Sequence, residues 1–586
     1  MRRWRAAAFA TLFLRLGLPS VLRAQDTTRA TAPIAVHAPA PRTVPVLPFE
    51  TPAGPLPPGS RYTFTRDSVS WSSAASLADL LARVPGVYVA RAGFLGQPEY
   101  VAYGGRGAAT LEVYRDGVPI VPLGGDSVFI VPSKIPLTTL QRVDVEVLPS
   151  ALRVYLISER HETVDTRSVV GVMSGDFGTG QYAGLFQKRW PGGYGLNLGA
   201  DFFASNGAPA ATRTDQDFEA WARAEWLPRP NAGAVYQLRR QSDDHDALGG
   251  LSGTGSPARH GARTDATLQL FVARRADRRG LSATFDLASE SWTHDSTVPE
   301  RTIRMAIGRM TYAAQRGTAE LTGQVSDGPW HRTLEGRIGW VLLPGVVASG
   351  EARVAAFAGD RTGLRTHGAV SIQRGPFSLV GEASYTREPE TPVLPTDSVR
   401  RVVDRSIRAG FVTRPFGGHA GFVRRGAYEP LAFPDLRSVS RLSAAPPSVY
   451  FVSDVQLQPI RPLTLEGWYS HPARGGADFQ PPHHGRAAIT FRSKFWRTFR
   501  SGAFDLKVQV AVESWSTGNA GQTSTGQLLT LNGLSFTETY LAFQIVGFTA
   551  FWDLRNAWNT RDSYVPGFQP YPRNAQTFGV KWEFMN

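Results

Sequence analysis

From about residue 168 to the C-terminus, apolar and polar side chains alternate in segments of about ten residues, broken by turn residues. Phe504, Leu506, Val508, Val510 and Val512 fall on one face, and Asp505, Lys507, Gln509 and Glu513 on the other. Leu268–Val272, Leu281–Leu287 and Phe578–Phe584 repeat the pattern. Successive strand side chains point to opposite faces, so this period predicts strands with one dry and one wet face. The chain shows 22 such segments, the first near residues 168–177 and the last near 575–584. From the second strand onward, every other link is mostly short: 191–192, 228–232, 315–316, 375–376, 459–461 and 546–547. The intervening links are mostly longer: 205–215, 242–263, 388–404, 428–446, 471–484, 516–534 and 557–574. Short turns at one end and long loops at the other are the pattern of a transmembrane antiparallel β-barrel. Residues 166–586 are therefore expected to form a closed barrel of about 22 strands facing outer-membrane lipid.

Upstream, the texture changes three times. Residues 61–165 mix helix and strand signals. Ser76 and Asp79 form a capping box before a short apolar helix, Ser76–Arg83, stopped by Pro85-Gly86. Short strands are expected at Gly86–Ala90, Glu99–Tyr103, Leu111–Arg115 and Val143–Val147, giving a small α+β domain. Residues 25–60 hold nine prolines, from Pro33 to Pro58, and read as an extended tether. Residues 1–24 carry a basic start (Arg2, Arg3, Arg5), the apolar run 6–14 and the sequence Leu22-Arg23-Ala24, the layout of a secretory signal.

Composition narrows the chemistry. There is no cysteine, which excludes disulfides and thiolate sites. Loss of residues 1–24 would remove five arginines and no acid, lowering the formal charge from +14 to +9. The remaining basic residues are scattered, only Lys134, Lys188, Lys494, Lys507 and Lys581 are lysine, and no nucleic-acid partner is expected. No run of eighteen apolar residues is present to cross a membrane as a helix. Signatures of serine hydrolases, zinc proteases, phosphate loops and dinucleotide sites are missing, so no enzyme activity is expected. Asp243-Asp244-His245-Asp246 reads as a loop acid run and His483-His484 as a turn entering a strand, and no metal or cofactor is assigned.

Several segments, taken in order, resemble the TonB-dependent outer-membrane receptor family. Residues 76–89 (SLADLLARVPGVYV) resemble the opening of its plug domain, residues 103–119 (YGGRGAATLEVYRDGVP) its Arg-Gly strand and Asp-Gly-Val-Pro turn, and residues 140–147 (LQRVDVEV) its closing plug strand. Residues 554–559 and 573–584 resemble its last two barrel strands, and residues 33–38 (PIAVHA) its TonB box. Residues 148–161 (LPSALRVYLISERH) depart from the family, which places Arg-Gly-Pro and a glycine-rich stretch there.

The resemblance implies a plug at residues 61–165 inside the barrel, in the outer membrane of a Gram-negative-type bacterium. It implies a receptor, a monomer, that imports an extracellular small molecule with energy from a TonB-like periplasmic protein. The alternative is a passive or structural plugged barrel without energy coupling. Ile34, Ala35 and Val36 would add a strand to the periplasmic partner. Arg106 would lock the plug against a lumen carboxylate, Glu382 or Glu466, because a buried lone charge is costly. Phe94, Leu95, Gln97, Leu123 and Asp126, in loops that follow outward-heading plug strands, are the candidate substrate contacts. Trp582 and Phe584 on the last strand are the candidate assembly signal.

Overall fold

The computed structural model describes residues 54–124, 128–149, 151–207, 215–247, 258–295, 299–395, 397–568 and 570–585. The signal segment, most of the tether with Ile34, Ala35 and Val36, and Asp126 lie outside the described residues.

Twenty-two antiparallel strands, from Arg167–Gly175 to Ala575–Met585, close into one barrel. Closure is made by the last strand on the first, with Thr577 opposite Gly175, Trp582 opposite Val170 and Phe584 opposite Ser168. An open edge in lipid would leave backbone groups unsatisfied, and closure removes it. Each expected strand is present. The links mostly alternate as expected: turns of two to six residues lie at one end except for the ten-residue turn 494–503, and the links at the other end are longer except for 176–179, 327–329 and 358–360. Gly345, at φ +80, supplies the left-handed backbone that a two-residue turn demands.

Outward positions are apolar and exposed, among them Leu198, Leu270, Phe285, Ile338, Ile372 and Val510. Trp190, Tyr194, Trp226 and Trp582 lie on this face beside the short turns, where aromatic rings favour a membrane interface. Inward positions carry charge: Asp201, Glu219, Arg223, Glu351 and Asp404 are all buried. These charges are tolerated because a second domain fills the lumen.

That inner domain contains β1 (Arg61–Phe64), α1 (Arg66–Ser70), α2 (Leu77–Leu81), β2 (Val87–Arg91), β3 (Glu99–Tyr103), β4 (Leu111–Arg115), β5 (Val118–Pro119), β6 (Leu140–Val147) and β7 (Leu152–Ser158). One sheet has the order β1-β6-β7-β4-β5, with β4 and β7 parallel, and β2-β3 is a separate hairpin. Leu77, Leu80 and Leu81 of α2 pack with Val143, Val145, Val154 and Leu156 to form its core. Three details differ from expectation. Strand β7 lies in the stretch 148–161 that departs from the family pattern, and every residue of it is buried. Ser76 caps α2 without a side-chain bond, because Asp79 accepts from Ala75 N at 2.9 Å and turns toward two arginines instead of closing a capping box. Residues 57–60, expected in the tether, pack with the domain: Val147 N donates to Ser60 O at 2.9 Å.

Candidate functional site

Two regions could do work: the tip of the inner domain under the long loops, and the charged interface between that domain and the barrel wall.

The tip is the loop 92–98 between β2 and β3. Phe94 is 1% exposed, and Leu95 and Gln97 are also buried. The Phe94 ring meets Phe177 and Tyr571 at centroid distances of 5.4 and 5.7 Å. The hairpin below is held as firmly. Tyr100 stacks on Phe433 at 5.3 Å and its hydroxyl donates to Asp435 at 2.5 Å. Tyr88 donates to the Tyr564 carbonyl at 2.6 Å and meets Trp515 edge-on. Loops 426–447, 475–483, 516–533 and 556–574 thus fold inward and share one apolar core with the tip. Phe94, Leu95 and Gln97 are brought together at the tip as expected, but they are covered and not open to the outside. The cause is the apolar character of the loops: Phe433, Phe479, Tyr564, Phe568 and Tyr571 would otherwise be exposed. Leu123 lies elsewhere, packed with Trp292, Ile303 and Met305 of the wall.

A chain of charges runs under the tip. Arg91 bonds Glu99 and lies 2.9 Å from Asp79, and Asp79 is 3.1 Å from Arg555, which holds Asp553 at 2.9 Å. Burial pushes the Glu99 carboxyl up to about 7 although Arg91 opposes it, because Asp79 shares the same arginine.

Around its girth the inner domain is clamped by ion pairs. Arg106 bonds a barrel carboxylate, as expected, but the partner is Asp404, and the guanidinium lies 4.6 Å above the Tyr428 ring. Glu382 is not its partner. It accepts from Ser60 Oγ at 3.0 Å and bonds Arg408. Glu382 sits opposite Ser406 and Asp404 opposite Ser384, so Asp404 is one lumen-facing step further from the 375–376 turn, at the level of Arg106. Glu466, on a different part of the wall, makes no ion pair with Arg106.

Two larger clamps were not anticipated. Lys134 reaches Asp215, Asp217 and Asp243 at 2.8, 3.1 and 3.1 Å. Asp243 and His245 are therefore strand residues facing the lumen, and not part of a solvated loop. The three carboxylates lie close enough together to hold a cation, and the ammonium of Lys134 takes that role. Arg153, 1% exposed, bonds Glu112 at 2.9 Å and Glu351 at 2.5 Å, while Arg337 bonds Glu146 and the Tyr155 hydroxyl at 2.8 and 2.9 Å. At the short-turn end, Arg492 bonds Asp67 at 2.5 Å and covers the Trp71 ring. The available signal was the set of charged residues at inward positions of the period-two pattern, together with the rarity of lysine. Cavities of about 160 and 170 Å³ are among those left between domain and wall, the second running from Leu95 to Lys581 along the closing strands.

Residues 57–153 match the family model of the TonB-dependent Receptor Plug Domain. The inner domain is a TonB-dependent receptor plug in a closed 22-strand barrel. No curated protein matches by sequence. Among solved structures, a double mutant of the ferric enterobactin receptor of Pseudomonas aeruginosa is similar with a TM-score of 0.67 at 10% identity, over 90% of this chain and 98% of that one. The siderophore receptor PirA of Acinetobacter baumannii gives 0.65 at 10% identity over 90% and 98%. The FrpB iron transporter of Neisseria meningitidis gives 0.65 at 9% over 90% and 99%. At such identities the likeness concerns the fold: plug and barrel are arranged in this chain as in those receptors.

Proposed function

We propose that this chain is an outer-membrane receptor that binds an extracellular small molecule and imports it into the periplasm, using energy from a TonB-like partner that grips residues 33–38. The observation that carries the reading is the plug itself. It fills a closed barrel, is fixed by charge pairs on many sides, and covers the route through the lumen, so passage requires work on the plug. Residues 57–60, which join tether to plug, are bonded to the wall through Ser60–Glu382 and Arg408 to the Gly59 carbonyl at 2.5 Å. A pull on the tether would meet these bonds first. The structural neighbours are named for ferric enterobactin, a siderophore and iron, which supports a small extracellular ligand.

The sealed tip favours a second reading, a plugged barrel without energy coupling. Both are tested by following depletion of small molecules from the medium by cells making the full chain. Energised import predicts that at least one solute is taken up, that a protonophore stops it, and that V36P stops it without lowering barrel levels. Uptake indifferent to both treatments, or no uptake of any solute, would favour the passive barrel.

A further inference from the structure

Three adjacent strands, Phe377–Pro389, Val399–Val412 and Phe416–Arg425, carry an unusual outer surface. Several outward positions are apolar and exposed: Phe377 and Leu379 near the 375–376 turn, Ile407 and Phe422 further along, and Val403 beyond them. Nearer the long loops the same face holds four arginines. Arg387 sits directly opposite Arg401, and Arg405 directly opposite Arg424. All four are exposed. Outward positions of these strands hold no acid, since Glu382, Glu388 and Asp404 all turn into the lumen and are buried. Of the lumen-facing arginines of the same strands, Arg400 bonds Glu390 and Arg408 bonds Glu382, while Arg425 lies over the Tyr103 and Tyr450 rings. The four outward ones have no ion pair among the described residues.

Like charges directly opposite across an antiparallel ladder destabilise it. Unpaired guanidinium on a lipid-facing strand is costly near the bilayer midplane and is tolerated toward the interface. Two such pairs, one on either side of Val403 and set beyond an apolar strip, fit an anion better than water. The planar guanidinium fork matches phosphate in a bidentate way. Two arginine pairs suit two phosphates, and the strip Leu379–Ile407–Phe422 suits acyl chains. We propose that this face binds a bis-phosphorylated acyl lipid of the leaflet on the long-loop side. The inference rests on the outer-membrane reading above.

The test uses the full chain in micelles free of such lipid, titrated with bis-phosphorylated lipid A and read by native mass spectrometry. One lipid per barrel is expected, with affinity at least tenfold lower in the R387Q/R401Q/R405Q/R424Q variant and partly restored in the all-lysine variant. Lipid A stripped of phosphate should bind at least tenfold more weakly, and millimolar inorganic phosphate should not displace the lipid. Unchanged binding by the glutamine variant, equal binding of the stripped lipid, or displacement by inorganic phosphate would each overturn the inference. Should the quadruple variant not fold, R405Q alone decides. It should raise the heat-modification midpoint in lipid-free micelles, by relieving like-charge repulsion, and lower it relative to wild type with lipid A present. A fall of equal size in both media would mark the arginine as structural and overturn the inference. Insertion of the wild-type chain into vesicles, scored by heat-modifiability, tests the outer-membrane reading separately: failure to insert overturns both, whereas a barrel that inserts and ignores the phosphates overturns this inference alone.

Discussion

Replacing Lys134 by methionine keeps most of its volume and removes the one ammonium that holds Asp215, Asp217 and Asp243 together. The lysine side chain is 10% exposed, and its nitrogen lies about 3 Å from all three carboxylates. At an effective dielectric near 20, each contact is worth roughly 5 kcal/mol of gross attraction. Desolvation and repulsion among the carboxylates consume most of that. Breaking a buried pair by deleting one partner costs about 3–5 kcal/mol. The ratio of seated to unseated plug should therefore fall by roughly two to three and a half powers of ten. The assay is limited proteolysis at residues 128–140 in the assembled barrel, with sensitivity to a large antibiotic as the cellular counterpart. Faster cleavage and greater sensitivity are expected for K134M, near-normal behaviour for K134R, and partial recovery for K134M/D217N, where one unmatched charge is gone. A K134M barrel that is heat-modifiable, resists protease like wild type and is unaffected by D217N would refute the reasoning.

Arg106→Ala and D404N should each raise leak of a small dye through the barrel, and neither should add to the other; leak from E466Q equal to that from D404N would assign the wrong partner. Glu99 offers a pH dependence: its folded carboxyl titrates near 7 and its unfolded one near 4.3, so the stability it contributes is present at low pH and is lost as pH rises through about 7. Hydrogen exchange at residues 92–98, corrected for the intrinsic rate, should then increase between pH 6 and 8, and E99Q should flatten the increase; an unchanged slope in E99Q would reject this origin. Phe584→Ala, or deletion of 575–586, should cut the amount of folded barrel while export continues, because Phe584 faces outward and its strand closes the ring; normal levels of heat-modifiable barrel in the deletion would reject both roles.

The barrel was legible because lipid imposes a local rule. Outward positions across the lipid band are predominantly apolar, so period two marks each strand independently of its neighbours, and the loop-length alternation sets the count. The Trp582–Phe584 face and its pairing with the first strand follow from the same rule. The lumen obeys no such rule. Asp404 and Glu382 both face inward on neighbouring strands, and the sequence does not say at which height Arg106 enters. Lys134 and Arg153 were hidden for the same reason, since their barrel partners lie about 80 to 200 residues away in the chain. The covered tip was illegible because it needs four separate loops to converge, and each alone reads as a polar connection with a few aromatic residues. Strand β7 was missed because its every residue is buried, which leaves a continuous run without alternation.

The central claim, that a periplasmic partner works this plug through residues 33–38, is tested most directly by a binding measurement. The full chain and a variant lacking residues 33–38, each in nanodiscs, are titrated with the purified C-terminal domain of a TonB protein. The account predicts saturable binding to the full chain and at least a tenfold loss in the deletion, with the barrel of both still heat-modifiable. Equal binding to both, or binding to neither, would contradict it.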